Sequence, residues 1–236
     1  MGQTGFFHHI GSFLLLVATI LLIVTCISAP VVNDLSMLKV MLKNGADSKH
    51  PSITFGTFGY CVKNQLASGD SCTRSAIGYD ASHALTEAAG GSGFELSDYA
   101  SKTSNALTKV MILHPIACGM SFIAFLLALG AGVVGSFLAA MVAALTFLVT
   151  LVVLITDFVS FSILKSAVNN SDTGAYAEFG AASWTILVSA VCNLLATIVV
   201  FVTCCSARMH KRKRRSAKAD SWENPPAGVP GRRRWF

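Results

Sequence analysis

Four long apolar stretches, separated by one long polar segment and two short breaks, set the pattern of the chain. Residues 10–29 carry no charge and are closed by Pro30. Residues 110–130 are apolar apart from His114, with Pro115 in the first turn or two, where a helix tolerates proline best. Residues 133–156 are apolar up to Asp157, and residues 182–205 are apolar with Asn193 in mid-span. Each stretch has about 20 residues or more, enough for a helix to cross a hydrocarbon core of about 30 Å. The pattern predicts a mainly α membrane protein, a bundle of four transmembrane helices. Gly130-Ala131-Gly132 leaves room for a very tight turn between the second and third. The apolar run resumes over 158–164, so the third helix projects past the bilayer and Asp157 reads as an interfacial stop. Residues 157–181 form the second loop, polar from 165 onward.

The first stretch has a rival reading as a cleaved leader, since Ser28 and Ala29 permit a cut. Residues 1–9 hold His8 and His9 but no Lys or Arg, and the run exceeds the roughly 7–15 residues of a leader's apolar region, which favours an uncleaved span. Met-Gly at the start does not make a myristoylation signal, because Phe6 stands where Ser or Thr is required.

Residues 30–109 are the polar segment. Leu38, Val40 and Leu42 alternate as in a strand, although Ser36 as a cap and Gly45 as a stop suit a short helix equally. Ile53, Phe55 and Thr57 read as a strand running into Cys61, and Ala67-Ser68-Gly69-Asp70 as the turn before Cys72. These are the only cysteines outside an apolar run, and the expectation is a small sheet pinned by a Cys61–Cys72 disulfide. Such a bridge is worth roughly 2–4 kcal/mol to a domain with little core. Gly90-Gly91-Ser92-Gly93 is a flexible connector, and a helical pattern starts at Ser97 and runs through Leu107, Val110 and Met111 toward the second span.

Charge fixes the orientation. The chain is 53% hydrophobic and 13% charged, against roughly 25% charged in average soluble domains. Residues 30–109 balance seven Lys/Arg with seven Asp/Glu, whereas residues 206–236 carry ten Lys/Arg and two Asp/Glu, so the net charge of +6 belongs to the tail. By the positive-inside rule the block Arg208, Lys211, Arg212, Lys213, Arg214, Arg215 and Lys218 puts the C-terminus in the cytoplasm. Four spans return residues 1–9 to the same side, and 30–109 and 157–181 become extracellular. This is the side on which a disulfide persists. Residues 206–236 read as a basic, disordered cytoplasmic tail ending in Arg232-Arg233-Arg234-Trp235-Phe236. Its partner is an anionic inner-leaflet surface, at about 1 kcal/mol per basic residue, not nucleic acid. A topology signal alone is the plainer reading of the block, and Ser216 is a site where phosphorylation would weaken lipid attraction.

Other candidate sites are each weighed against packing. Cys204 and Cys205 beside the basic block are candidate palmitoylation sites, or two small residues at a helix end. Gly135, Ala139 and Ala143, and Gly132, Ser136, Ala140 and Ala144, form two small-residue rows, for packing within the bundle or for docking a partner's helix. Asn193 suits interhelical hydrogen bonding. Asn169-Asn170-Ser171 matches the glycosylation pattern close to the membrane. The histidines at 8, 9, 50, 83, 114 and 210 are scattered. No phosphate loop, dinucleotide fingerprint, nucleophile elbow or HExxH occurs, so no catalytic, metal or cofactor residue is expected.

Gly56-Thr57-Phe58-Gly59-Tyr60-Cys61, ten residues and Cys72 resemble the first-loop pattern of claudin-like tetraspans, Gly-Leu-Trp-x-x-Cys, with Thr57 and Phe58 at the Leu and Trp positions. Phe55, Gly56, Phe58, Gly59 and Tyr60 before Cys61, followed by Gly78 and Tyr79, resemble the fungal PalI family and its eisosome-associated relatives. The resemblance covers about residues 5–206. It implies a left-handed four-helix bundle with a small extracellular β-sheet at the plasma membrane, without enzymatic activity. It implies an accessory role beside a membrane sensor of ambient pH, upstream of a proteolytically activated transcription factor. The alternative it implies is a structural organiser of eisosome-type domains, in polarity or wall integrity. The partner is then another membrane protein, either the pH sensor or further copies of the tetraspan.

Overall fold

The computed structural model describes residues 6–42, 51–65, 69–88, 102, 108–130, 133–171 and 174–223. In chain order the elements are α1 (Phe6–Cys26), β1 (Leu38–Met41), β2 (Ser52–Phe55), β3 (Tyr60–Gln65), β4 (Gly69–Cys72), α2 (Ala81–Ala88), α3 (Leu113–Leu129), α4 (Val133–Asn169), β5 (Tyr176–Phe179) and α5 (Ala181–Glu223). Among the described residues four segments are long and apolar enough to cross a membrane: His8–Cys26, Thr108–Leu129, Phe137–Asn169 and Ala181–Ser206. They form a ring in which α1 packs on α3 and α5, and α4 closes it by packing on the same two helices.

What holds the ring is a run of side-chain hydrogen bonds. Thr19 of α1 donates to Ser121 of α3 (2.9 Å), Ser121 to Asn193 of α5 (3.5 Å), and Asn193 to Thr150 of α4 (3.3 Å). All four side chains are buried, and Thr150 passes its own hydroxyl proton to the Thr146 carbonyl. A polar group in hydrocarbon has no water to turn to, so each must find a partner inside the protein. One end of the bundle is closed by small side chains: Ala124, Ala128, Ala139, Ala140, Ala143 and Ala196 pack with Leu15 and Val200. Ala139, Ala140 and Ala143 of the two small-residue rows are thus spent on packing within the bundle. His8 donates to the Ala128 carbonyl at the same end (2.8 Å).

The other end carries a five-stranded sheet in the order β4-β3-β2-β1-β5, each neighbouring pair antiparallel. Leu38 and Val40 are buried and alternate with Lys39 and Met41, so of the two readings of residues 38–42 the strand is the one realised. The stretch expected as one strand from Ile53 into Cys61 is instead a hairpin. β2 ends at Phe55, the Gly56 N–H donates to the Gly59 carbonyl (2.8 Å), and β3 returns from Tyr60. Gly69 and Asp70 belong to β4 rather than to a turn. The expected breaks at Gly45, Ala67-Ser68 and Gly90-Gly91-Ser92-Gly93, and the helix from Ser97 to Leu107 apart from residue 102, lie outside the described residues.

Two helices outrun their apolar stretches. α4 has 37 residues, about 55 Å at 1.5 Å per residue, and does not stop at Asp157. Its far end supplies Phe161, Leu164 and Val168 to the core under the sheet, together with Leu38, Val40, Ile53, Phe55 and Leu85. The projection expected over 158–164 thus runs on to Asn169, within the stretch 157–181 assigned to the second loop. α5 continues through the basic block to Glu223, so residues 206–223, expected as disordered tail, are helical. Ala, Lys, Arg and Glu are good helix formers, and the first residues able to break the run are Pro225 and Pro226.

Replacing Asn193 with alanine removes the side chain through which α5 links Ser121 of α3 to Thr150 of α4. Unfolding of the protein in detergent or bilayer should show a loss of about 1–2 kcal/mol. Leu195→Ala, on the outer surface of the bundle, should cost less.

Candidate functional site

The residues that carry the family-like pattern come together where the sheet sits on the bundle. Phe55, Tyr60 and Tyr79 form an aromatic trio with ring centroids 5.9–6.4 Å apart. The Tyr79 hydroxyl donates to the Gly56 carbonyl (2.7 Å), and the Tyr79 carbonyl accepts from Thr108 at the approach to α3 (3.0 Å). Burial pushes the Tyr79 phenol above its ordinary value, and the nearby Asp157 adds to the shift. The Ala76 N–H donates to the Phe58 carbonyl (2.8 Å), which folds the segment after Cys72 back onto the hairpin turn. Gly78 has φ +73° and lies against the stem of Lys109.

Gly56 is required for a different reason, close approach. A Cβ there would overlap the backbone of Ala29, at the end of α1. Around this contact Thr57 donates its hydroxyl to the Thr25 carbonyl (2.9 Å) and its N–H to Ser28 Oγ (3.0 Å). The hairpin turn is thereby bonded to the head of α1. On the opposite side Ser183 Oγ and the Gly180 N–H both donate to the Met37 carbonyl (2.7 and 2.8 Å), which ties β1 to the head of α5.

Cys61 and Cys72 are disulfide-bonded between paired positions of β3 and β4. Cys61 is buried and Cys72 exposed, and Asn33 Oδ1 lies 3.4 Å from both sulfurs. Lys63 of β3 pairs with the exposed Asp34, and its hydrogen bond and charge hold that carboxyl below the ordinary carboxylate range.

Directly beneath the aromatic trio is a feature that sequence reasoning missed. His114 Nε2 of α3 lies 3.0 Å from Asp157 Oδ2 of α4, with the side chains 0% and 2% exposed. His114 Nδ1 lies 3.1 Å from the Met111 carbonyl. Asp157, expected as an interfacial stop, is an internal partner. The signal was present: between residues 110 and 164, His114 and Asp157 are the only Asp, Glu, Lys, Arg or His. Two solitary ionisable residues in otherwise uncharged spans are each costly alone and tolerable together.

Of the remaining candidates, Cys204 is buried and Cys205 half-buried, both as free thiols. Arg208, Lys211, Arg212, Lys213, Arg214, Arg215, Ser216 and Lys218 lie in the helical continuation of α5, and their side chains are outside the described residues. Asn169 is engaged with the backbone of β5: it accepts from the Ala177 N–H (2.7 Å) and donates to the Ala177 carbonyl (3.4 Å). Among the described residues no group of three or more His, Cys, Asp or Glu could hold a metal ion.

Four apolar spans capped by an antiparallel sheet with one disulfide define a tetraspan membrane protein of claudin-like architecture. Residues 7–199 match the SUR7/PalI family, and the chain belongs to that family. It is 28% identical over 111 residues to the pH-response regulator protein palI/RIM9 of Pyricularia oryzae. That match covers 47% of this chain and 13% of the relative, so the chain spans only a small part of that protein's length.

The two kinds of glycine separate in one experiment. Gly56→Ala should loosen the sheet from α1 and lower thermal stability in detergent markedly, by about 2 kcal/mol or more. Gly119 of α3 has open space where a Cβ would go, so Gly119→Ala should be neutral or stabilising by up to about 1 kcal/mol.

Proposed function

We propose that this protein is a non-enzymatic plasma-membrane tetraspan, an accessory that stabilises or positions a membrane sensor of ambient pH. Its sheet would face the outside, and both termini the cytoplasm. The observation that carries this reading is the match, over 111 residues, to a pH-response regulator. A sheet held at the heads of α1 and α5 offers a rigid outer platform for a partner membrane protein, and the uncharged spans offer it a lateral surface. The basic helix beyond the last span would meet anionic inner-leaflet lipid, and acylation at Cys205 would reinforce the contact. Deleting the gene in a fungal host should impair growth at alkaline pH and reduce the amount of sensor at the cell surface. Normal growth and normal sensor abundance would remove the reading.

The family's double description, SUR7 and PalI, favours one second reading: a structural organiser of membrane domains, as a homo-oligomer. A fluorescent copy would then form static cortical patches. A uniform, freely diffusing signal would count against it.

A further inference from the structure

The buried His114–Asp157 pair is built around a single shared proton. The Met111 carbonyl beside His114 Nδ1 can only accept, so Nδ1 carries a hydrogen. Nε2 then faces Asp157 Oδ2 at 3.0 Å, and one further proton must lie between them. Whether it sits on nitrogen or on oxygen, the pair as a whole is neutral and both contacts are satisfied. With that proton gone, one N–H is left for two acceptors, Met111 O and Asp157 Oδ2. Keeping Nδ1–H sets the Nε2 lone pair against a carboxylate. Moving the hydrogen to Nε2 sets the Nδ1 lone pair against the Met111 carbonyl. Either way a net negative charge is left in a site closed to water.

Among the described residues nothing nearby replaces the lost proton. Among the described residues the only ion-pair partner of Asp157 is His114. Tyr79, on the segment before α2, is the neighbouring acid that feels Asp157, and its hydroxyl is committed to Gly56. Lys109 lies along Gly78, and Lys165, two turns further along α4, is held over the Phe179 ring. α1 contributes Cys26 at its end and α3 contributes Cys118. α5 has no acidic or basic residue from 181 to 206.

We propose that this shared proton is a latch: while it is present α3 and α4 are joined beneath the sheet, and its loss as pH rises releases the junction of sheet and bundle. The path to the sheet is short. Met111, which holds His114, and Phe161, one turn beyond Asp157, both belong to the sheet's core, and Tyr79 beside Asp157 holds the Gly56 turn. The proposal deepens the accessory reading above, because it names the element by which such a protein would itself respond to alkalinity. It concerns the molecule alone, however, and is tested without the partner.

The test uses the full chain in lipid nanodiscs. Hydrogen exchange, corrected for its intrinsic base catalysis, is followed at the amides of Met37, Gly56 and Tyr60 between about pH 6 and about pH 9. Wild-type protection should fall about tenfold or more across that range. In Asp157→Asn the amide N–H donates to Nε2 as the protonated acid does, with no proton to lose, so protection should stay high and flat. In His114→Gln the carboxylate lacks its proton-sharing partner, and protection should be low at both ends. A flat wild-type profile, or a fall in D157N equal to the wild-type fall, overturns the proposal. Should H114Q not fold, D157N decides alone. A pH-dependent wild type with normal alkaline growth of the deletion strain would keep the latch and remove the accessory role.

Discussion

A hydroxyl or carboxamide buried in hydrocarbon must be satisfied by the protein itself, and the whole bundle is arranged around that constraint. Many of its threonines and serines meet it locally. Thr146, Thr156, Ser160, Thr197 and Thr203 each donate to a carbonyl one turn back on their own helix. Such residues are content in any packing and specify none. Thr19 and Thr150 make the same one-turn bond, to the Leu15 and Thr146 carbonyls, but with Ser121 and Asn193 they are also joined across helices. Sliding or rotating any one helix would break a link and strand a polar group in an apolar core. The apolar contacts on either side are far more permissive, since alanine and leucine surfaces pack in several registers. The polar run therefore selects one arrangement from those that the greasy surfaces would accept.

The two ends of the bundle are held by different physics. At the alanine-rich end, small side chains let the helix backbones approach closely, and contact is made by dispersion. At the sheet end the contacts are polar and involve backbone: Gly56 on Ala29, Thr57 on Thr25 and Ser28, Ser183 and Gly180 on Met37. α4 links the regimes, because it is longer than the bilayer is thick and its upper turns become part of the sheet's core. A displacement between α3 and α4 at the level of Asp157 is thus transmitted to the sheet by a continuous helix rather than by a loop.

The spans, the disulfide and the alternation of Leu38 and Val40 were legible because each is written locally, in run length, cysteine placement or period. Asn193 was legible as glue because a carboxamide among apolar residues admits few other uses. Asp157 was misread for the same local reason: at the edge of a stretch a lone acid looks like a stop, and its partner is 43 residues away on a different helix. The hairpin turn at Gly56 was hidden by alternation that runs on through Ile53, Phe55 and Thr57. Only the close approach to Ala29, a contact between segments distant in sequence, explains why the strand must end there. The helical continuation of α5 is hidden because a dense run of positive charge reads as solvated coil. Its residues nonetheless favour helix one by one, and it inherits a nucleus from the span before it.

The departure from the claudin-like pattern also acquires a physical meaning. Where that pattern places an apolar leucine, this chain has Thr57, and the structure uses both of its polar groups. The hydroxyl donates to the carbonyl of Thr25, while the N–H meets Ser28, and the side chain is fully enclosed. A leucine would keep the N–H bond to Ser28 but would lose both hydroxyl contacts, to the Thr25 carbonyl (2.9 Å) and to Ser28 Oγ (3.0 Å), at about 0.5–1.5 kcal/mol per bond. The head of α1 and the hairpin turn therefore match each other: Thr25 and Ser28 require a polar residue at 57 as much as Ala29 requires a glycine at 56. In this chain the turn is fixed on α1 by direction-dependent bonds, where an apolar plug would allow it to slide.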